Sequence, residues 1–168
     1  WQSTSDIANI AMLLGQRYKP DIVNDRFFSL GLFHACGVPV MAMKYNDYQQ
    51  LLDSALTTPE IALTEVEEQH YGVNHATLGY YVASSWRLPK DVCQIILQHR
   101  DRHFINKLNG SQEQDLFAVL KLSEHLVSMK YSDCASADWC YVQENVCKIL
   151  AIDEETLQSL VLEFTDNQ

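Results

Sequence analysis

The chain has 168 residues, of which 47% are hydrophobic, and carries 12 basic against 22 acidic side chains, a formal charge of −10. A chain of this length can bury the core of one domain, and its hydrophobic content is too high for an intrinsically disordered segment. The acidic balance argues against a general nucleic-acid binder, because a phosphate backbone needs a basic counter-surface.

The cysteines and the longest apolar stretch indicate where the protein works. No Cys-x-x-Cys pair occurs, which argues against a zinc knuckle or a disulfide framework and favours a reducing compartment. The polar start is unlike a secretory leader, and a chain that opens on Trp1 rather than Met suggests a fragment. The uncharged residues 27–43 are interrupted by glycine, histidine and proline, so we expect no membrane span and a cytoplasmic protein. The five cysteines are Cys36, Cys93, Cys134, Cys140 and Cys147.

Six glycines, four prolines and few alternating patterns predict an all-α protein. The first helix is expected over residues 5–17, before Lys19-Pro20, because a residue preceding proline is disfavoured in helical geometry. The second is expected over residues 21–36, with Asp21 as its N-cap and Gly37-Val38-Pro39 as its stop. Short helices are expected over residues 40–44 and 48–56.

Turn and capping residues place the later helices. Thr58-Pro59 predicts a helix to about residue 70, and Asn74 is the expected N-cap of the next helix, to about residue 86. Leu88-Pro89 leads into a helix that reaches about residue 101, and Ser111 to Gln114 has the form of a capping box. Two more helices fit residues 137–150 and 153–164. With no internal repeat or composition break, we predict one helical domain over residues 1–168.

Three of the six histidines fall on apolar helix stripes, one on each of three predicted helices. Such spacing points the imidazoles toward a core, where an unpaired polar group costs about 1–3 kcal/mol. Hydrogen bonds to neighbouring groups would satisfy them, and so would a shared metal ion, since imidazole is the commonest metal ligand. The stripes are Phe27, Leu30, Gly31 and His34; His75, Leu78, Gly79 and Val82; and Val92, Ile95, Ile96 and His99.

The motifs around these histidines resemble a known family. Residues 28–37, Phe-Ser-Leu-Gly-Leu-Phe-His-Ala-Cys-Gly, look like the helix that carries the paired His-Asp of HD-superfamily phosphohydrolases. Residues 72–79 and 86–89, followed by Gln98-His99, resemble the HD-related output domain, HDOD, with its Gly-x-x-His-x-x-x-Gly segment, Trp-x-Leu-Pro and histidine pair. The opening residues 1–8 are similar to that family's Trp-x-His-Ser-x-x-x-Ala helix. The resemblance implies an HD-like multi-helix fold and covers residues 1–101.

Carried over by position, the resemblance implies a degraded metal site. In active relatives the aspartate of the His-Asp pair lets two metal ions share a ligand and activate water, a role that alanine cannot take. We therefore expect no catalytic residue and no cofactor, with one residual divalent metal ion as the alternative. Three ligand positions are lost, at Ser3, Ala35 and Gln98, and three histidines remain, His34, His75 and His99.

The resemblance also bears on what the chain lacks. The family usually has a further helical half before the Trp motif, and this chain begins at that motif. The sequence therefore corresponds to the C-terminal part of the family domain. Apolar surface left on its first helices would be covered by a protein partner or by a second copy in a homodimer.

Two functions from different classes follow. The first is a non-catalytic regulatory domain of bacterial signal transduction that acts through a protein partner, without nucleic acid or membrane. The alternative is a metal-dependent phosphohydrolase acting on a nucleotide or cyclic dinucleotide, with Asp101 or a backbone carbonyl in place of the lost aspartate. A sensor that binds a small ligand at the three histidines without turnover is a third hypothesis.

Three other features have both a structural and a functional interpretation. The basic cluster over residues 99–107 is either a solvated helix end or a contact for an anion. The glutamates at positions 65, 67 and 68 are expected on a solvated helix face. Trp86 and Trp139 are expected as core or interface anchors.

Overall fold

The computed structural model describes residues 2–55, 61–132, 134–136 and 138–165. Every regular element among these residues is a helix, which confirms the all-α prediction. Two compact units divide the chain, one of Trp1–Leu32 with Arg102–Gln168 and one of Phe33–Asp101. The assignment of residues 1–168 to a single domain stays a prediction. The helices are α1 (Gln2–Tyr18), α2 (Asn24–Phe33), α3 (Gly37–Lys44), α4 (Tyr48–Ala55), α5 (Leu63–Tyr71), α6 (His75–Ser85), α7 (Lys90–Gln98), α8 (Phe104–Lys107), α9 (Gln112–Ser132), α10 (Trp139–Leu150) and α11 (Glu154–Thr165).

Helix α9 is the centre of the first unit. Every residue from Leu116 to Val127 is buried, because α1, α8, α10 and α11 pack against it from different sides. Helix α1 also lies against α2, where a Cβ added at Gly31 would stand 2.6 Å from the Cα of Ala8. Glycine thus lets these two backbones approach closely, and α9 forms the core that they cover.

The buried part of α9 includes a cation. The Nζ of Lys121 lies 2.8 Å from Oε2 of Glu124 and 3.7 Å from Oδ2 of Asp138. Asp138 also accepts a hydrogen bond of 3.3 Å from Nε of Arg102. Buried charges are tolerated when they are paired and hydrogen-bonded, and this network links the residue before α10 to α9.

In the second unit, α6 lies between α3 and α7. A Cβ added at Gly37 would stand 1.8 Å from the carbonyl oxygen of His75, so α3 and α6 touch backbone to backbone. A Cβ at Gly79 would lie 3.4 Å from the backbone nitrogen of Gly37 and 3.1 Å from Cγ2 of Ile96 on α7. These two glycines therefore set the close packing that holds the first turn of α6 in place.

The predicted stop at Gly37-Val38-Pro39 is wrong, because these residues begin α3. Helix α2 ends at Phe33, and a turn follows in which the N–H of Cys36 donates to the carbonyl of Phe33 at 3.0 Å. Pro39 lies in the first turn of α3, where its missing N–H removes no intrahelical bond. Glycine and proline can mark either end of a helix, and here Gly37 serves the contact with α6.

Other helix limits differ from the expectations by a few residues. Helix α2 begins at Asn24 and Asp21 is not its N-cap, because a turn closed by the N–H of Ile22 on the carbonyl of Lys19 (3.1 Å) precedes it. Helix α1 is longer than expected at both ends, and α7 ends at Gln98, before residue 101. The cap of α6 is confirmed, since Oδ1 of Asn74 accepts a hydrogen bond of 2.8 Å from the N–H of Thr77.

Two predicted helix starts, at residues 58–59 and 137, lie outside the described residues. The predicted capping box forms only in part. The Oγ of Ser111 accepts from the N–H of Gln114 at 3.4 Å, whereas the side chain of Gln114 bonds to the N–H of Gly110 at 2.9 Å, one residue before the expected position. The side chain of Gln114 therefore bonds to the N–H of the residue before Ser111 and not to that of Ser111, as a complete capping box requires.

One stretch of the described chain, Asn24–Lys44, is long and apolar enough to cross a membrane by length and composition. Its best window has a mean hydropathy of 1.3, and 33% of that window is buried. Core helices of proteins outside membranes meet the same criterion, and the turn after Phe33 divides this stretch between α2 and α3. The finding is therefore weak support for a span.

Candidate functional site

The three histidines of the apolar stripes lie together in the second unit. His34 is in the turn after α2, His75 is the first residue of α6, and His99 follows the last residue of α7. All three are buried. The ring centroid of His99 is 5.8 Å from that of His34 and 5.4 Å from that of His75. The structure therefore gathers the three imidazoles into one buried cluster at helix ends.

A carboxylate that the sequence analysis placed on a solvated face belongs to this cluster. Glu67 on α5 has 0% exposure. Its Oε2 accepts two hydrogen bonds from His75, one from the backbone N–H at 3.0 Å and one from Nδ1 at 2.7 Å. Its Oε1 accepts a third from the hydroxyl of Tyr48 on α4. The expectation for Glu67 is corrected, because this side chain links α4, α5 and the first turn of α6.

These contacts determine the protonation states of Glu67 and Tyr48. Burial raises the pKa of the Glu67 carboxyl, but the hydrogen bonds and the charge interaction with His75 and the bond from Tyr48 outweigh it, and the net pKa is lowered. Burial and the bond to Glu67 raise the pKa of Tyr48. At neutral pH the cluster therefore holds a carboxylate at position 67 and a protonated phenol at position 48.

The hydrogen bonds also fix the orientation of two rings. Because carboxylate and carbonyl oxygens only accept, Nδ1 of His75 donates to Glu67, and Nδ1 of His99 donates to the carbonyl of Ile96 at 2.7 Å. The Nε2 of His75 is buried and has no hydrogen-bond partner among the described residues. Bonds of this kind at Nδ1 also orient imidazoles that bind metal through Nε2.

The donor set nevertheless does not fit the metal site of active HD proteins. Within the described ranges, no group of three or more His, Cys, Asp or Glu side chains is placed to hold a metal ion. Ala35, next to His34, supplies a methyl group where a bridging carboxylate would be needed. Glu67 accepts hydrogen bonds from His75 and Tyr48, and in the described part of the chain it forms no metal-holding group with the histidines.

The other two lost ligand positions offer no substitute. Gln98 is the last residue of α7 and is half-buried. Ser3 is an exposed residue of α1, in the first unit. Neither side chain is a strong metal ligand.

The structure also places one residue of the basic cluster and the two tryptophans singled out in the sequence. Of the basic cluster, Arg102 bonds to Asp138 and lies 3.9 Å over the ring of Tyr141, which favours a structural role for that residue. Trp139 is buried and stacks on His125 at 4.1 Å, and burial lowers the pKa of His125 to about 4. Trp86 is 68% exposed. The two tryptophans thus separate into one core anchor and one surface residue.

An all-helical scaffold that brings together histidines from the end of α2, the start of α6 and the end of α7 defines a domain of the HD type. The sequence motifs add the family. The HDOD domain model matches residues 1–102, more than half of the chain, so this chain belongs to the HDOD domain family. No curated protein matches.

Solved structures share the fold. A "putative phosphohydrolase" from Shewanella amazonensis SB2B has a TM-score of 0.69 and 15% identity, over 99% of this chain and 58% of that one. A "putative signal transduction protein" from Marinobacter aquaeolei VT8 has 0.70 and 17%, over 98% and 36%. An HDOD domain protein of unknown function from Geobacter sulfurreducens has 0.63 and 17%, over 99% and 60%. The chain thus spans three fifths or less of these relatives.

Proposed function

We propose that this chain is a non-catalytic regulatory domain of signal transduction that acts by binding another protein. The observation that carries the proposal is Ala35, which stands where active HD proteins have the aspartate that their two metal ions share. In the buried cluster that includes the neighbouring His34, the carboxylate of Glu67 accepts hydrogen bonds from His75 and Tyr48. A scaffold that is retained without its shared ligand suits binding rather than turnover.

The family and one of the solved relatives are consistent with a regulatory role. The family is an output domain by resemblance, and one solved relative is described as a signal transduction protein. We further propose that the domain needs no cofactor and works in the bacterial cytoplasm. Its partner would be a separate protein, an adjacent signalling domain or a second copy, and not a nucleic acid or a membrane.

The proposal is tested by metal content and by hydrolysis. Protein purified without tag or chelator is analysed for iron, manganese and zinc by elemental mass spectrometry, and assayed with these metals on a phosphodiester and on cyclic dinucleotides. We expect less than stoichiometric metal and no turnover above that of the His34→Ala variant. Stoichiometric metal with turnover that His34→Ala abolishes would contradict the proposal.

One observation favours a second candidate, a metal-dependent phosphohydrolase. The Nε2 of His75 is buried without a hydrogen-bond partner among the described residues, and such an atom is rare unless something binds it. His34, His75 and His99, which are not placed to hold a metal ion in this structure, would have to rearrange to become the protein ligands of one ion. The Ala35→Asp variant provides the positive control, because it restores the carboxylate of the family motif. Metal uptake by Ala35→Asp alone would support the non-catalytic assignment of the natural chain, and equal uptake by both would support the second candidate.

A further inference from the structure

The end of α6 carries an arginine in left-handed backbone geometry next to an exposed tryptophan. Arg87 has φ = 60°, in the left-handed region where glycine is favoured. The N–H of Arg87 donates to the carbonyl of Ser84 at 3.0 Å, and the N–H of Leu88 donates to the carbonyl of Ala83 at 3.1 Å. This pair of bonds is a Schellman motif, in which the residue at the Arg87 position is usually glycine.

The arginine gains nothing inside the protein that would offset this strain. It is exposed, and its guanidinium forms no hydrogen bond or ion pair with any residue that the structure describes. The residue before it, Trp86, is 68% exposed and lies edge-on to Phe33, with ring centroids 5.4 Å apart. A strained arginine and an exposed tryptophan therefore stand side by side in solvent.

The stretch of chain that contains this pair is basic, whereas the whole chain is acidic. Residues 69–90 contain no aspartate or glutamate, although the whole chain has 22 of them. Arg87 and Lys90 are exposed in this stretch, and the nearest following acid, Asp91, is half-buried and interacts within the protein. We name the surface formed by Phe33, Trp86, Arg87 and Lys90 the Trp86 surface.

We propose that the Trp86 surface is the docking site for an acidic segment of a partner protein. Tryptophan and arginine are among the residues that dominate the affinity of protein interfaces, and here both are exposed side by side. The Arg87 and Lys90 cations would pair with carboxylates of the partner while the indole covers an apolar side chain between them. The inference rests on the proposed function, since it names the surface through which that function would be exerted.

The inference predicts opposite effects of one substitution on stability and on binding. Arg87→Gly relieves the strain and should raise the melting temperature by about 2–4 °C, while weakening binding. Ala151 provides the matched control, because it has φ = 53° in the same motif at the end of α10, far along the chain from the Trp86 surface. Ala151→Gly should give a similar rise with no change in binding.

The experiment uses defined peptides, because the partner is unidentified. A soluble peptide in which leucines are spaced among glutamates is titrated into the protein by calorimetry and by following the Trp86 indole N–H in NMR spectra, assigned with Trp86→Phe. A lysine–leucine peptide of the same length is the control. We expect binding of the acidic peptide only, weakened at least about tenfold by Arg87→Glu and weakened by added salt.

Several outcomes would overturn the inference. These are equal binding of both peptides, unchanged affinity in Arg87→Glu, tighter binding of a single-stranded oligonucleotide than of the acidic peptide, or self-association of the natural chain that Arg87→Glu abolishes. The proposed function is judged separately, by the phosphodiester assay with His34→Ala. If no peptide binds and no hydrolysis occurs, the docking site is wrong and the proposed function stands.

Discussion

Replacing Glu67 by methionine tests whether the buried carboxylate holds the second unit together. Methionine has a similar length but accepts no hydrogen bond of comparable strength, so three donors lose their acceptor: the hydroxyl of Tyr48, and the backbone N–H and Nδ1 of His75. Each buried donor left without a partner costs about 1–3 kcal/mol, and the three are not additive. We expect Glu67→Met to lower the free energy of unfolding by at least about 3 kcal/mol.

Two other glutamate variants serve as controls in the same urea titrations, followed by circular dichroism. Glu67→Gln keeps an acceptor for His75, because the hydroxyl of Tyr48 can turn to accept from the new amide, and should lose less than half as much. Glu65→Gln, at an exposed position of the same helix, should change stability by less than about 0.5 kcal/mol. A loss below about 1 kcal/mol in Glu67→Met would refute the role given to this carboxylate.

Three further outcomes are expected. Since the folded pKa of Glu67 is lowered from 4.5, its contribution is complete above that pH and is lost as the pH falls, so the stability gap between the natural chain and Glu67→Gln should shrink in acid-range urea titrations. Gly37→Ala would press a methyl group against the carbonyl of His75 and should cost about 1–3 kcal/mol in calorimetry, whereas Gly72→Ala, in open space at φ = 69°, should cost only the strain of about 1 kcal/mol. Asn74→Ala removes the cap of α6 and should cost about 1 kcal/mol in thermal unfolding, and no loss would show that the cap is redundant.

Much of the fold could be predicted from local pattern, because local chemistry decides it. Asn74 followed by an apolar stripe specifies the start of α6, and the structure forms that cap. The stretch around Gly37 and Pro39 could not be placed in the same way. Gly37 is needed because its backbone lies against the carbonyl of His75, a residue far along the chain. No local sequence pattern around Gly37 predicts this contact.

The sequence predicts the three histidines of the candidate site but not its carboxylate. Helical spacing identifies the three histidines, because the residues of a buried helix face recur at intervals of three and four positions in the sequence. The prediction for Glu67 is wrong because the charge of this residue favours a solvated face, whereas its position on the helix favours burial. It lies four residues after Leu63 and four before Tyr71, both on the side of α5 that packs into the second unit, and this spacing is the signal that could have found it.

The two hydrogen bonds that His75 donates to Glu67 have a consequence for motion. His75 opens α6, and the first backbone amides of a helix have no acceptor within it, so they exchange with solvent whenever the end frays. Here the amide donates to a carboxylate that is itself buried and bonded to Tyr48. Hydrogen exchange at His75 therefore requires α5 and α6 to separate, which turns the terminal amide of a helix into a reporter of opening in the interior of the second unit.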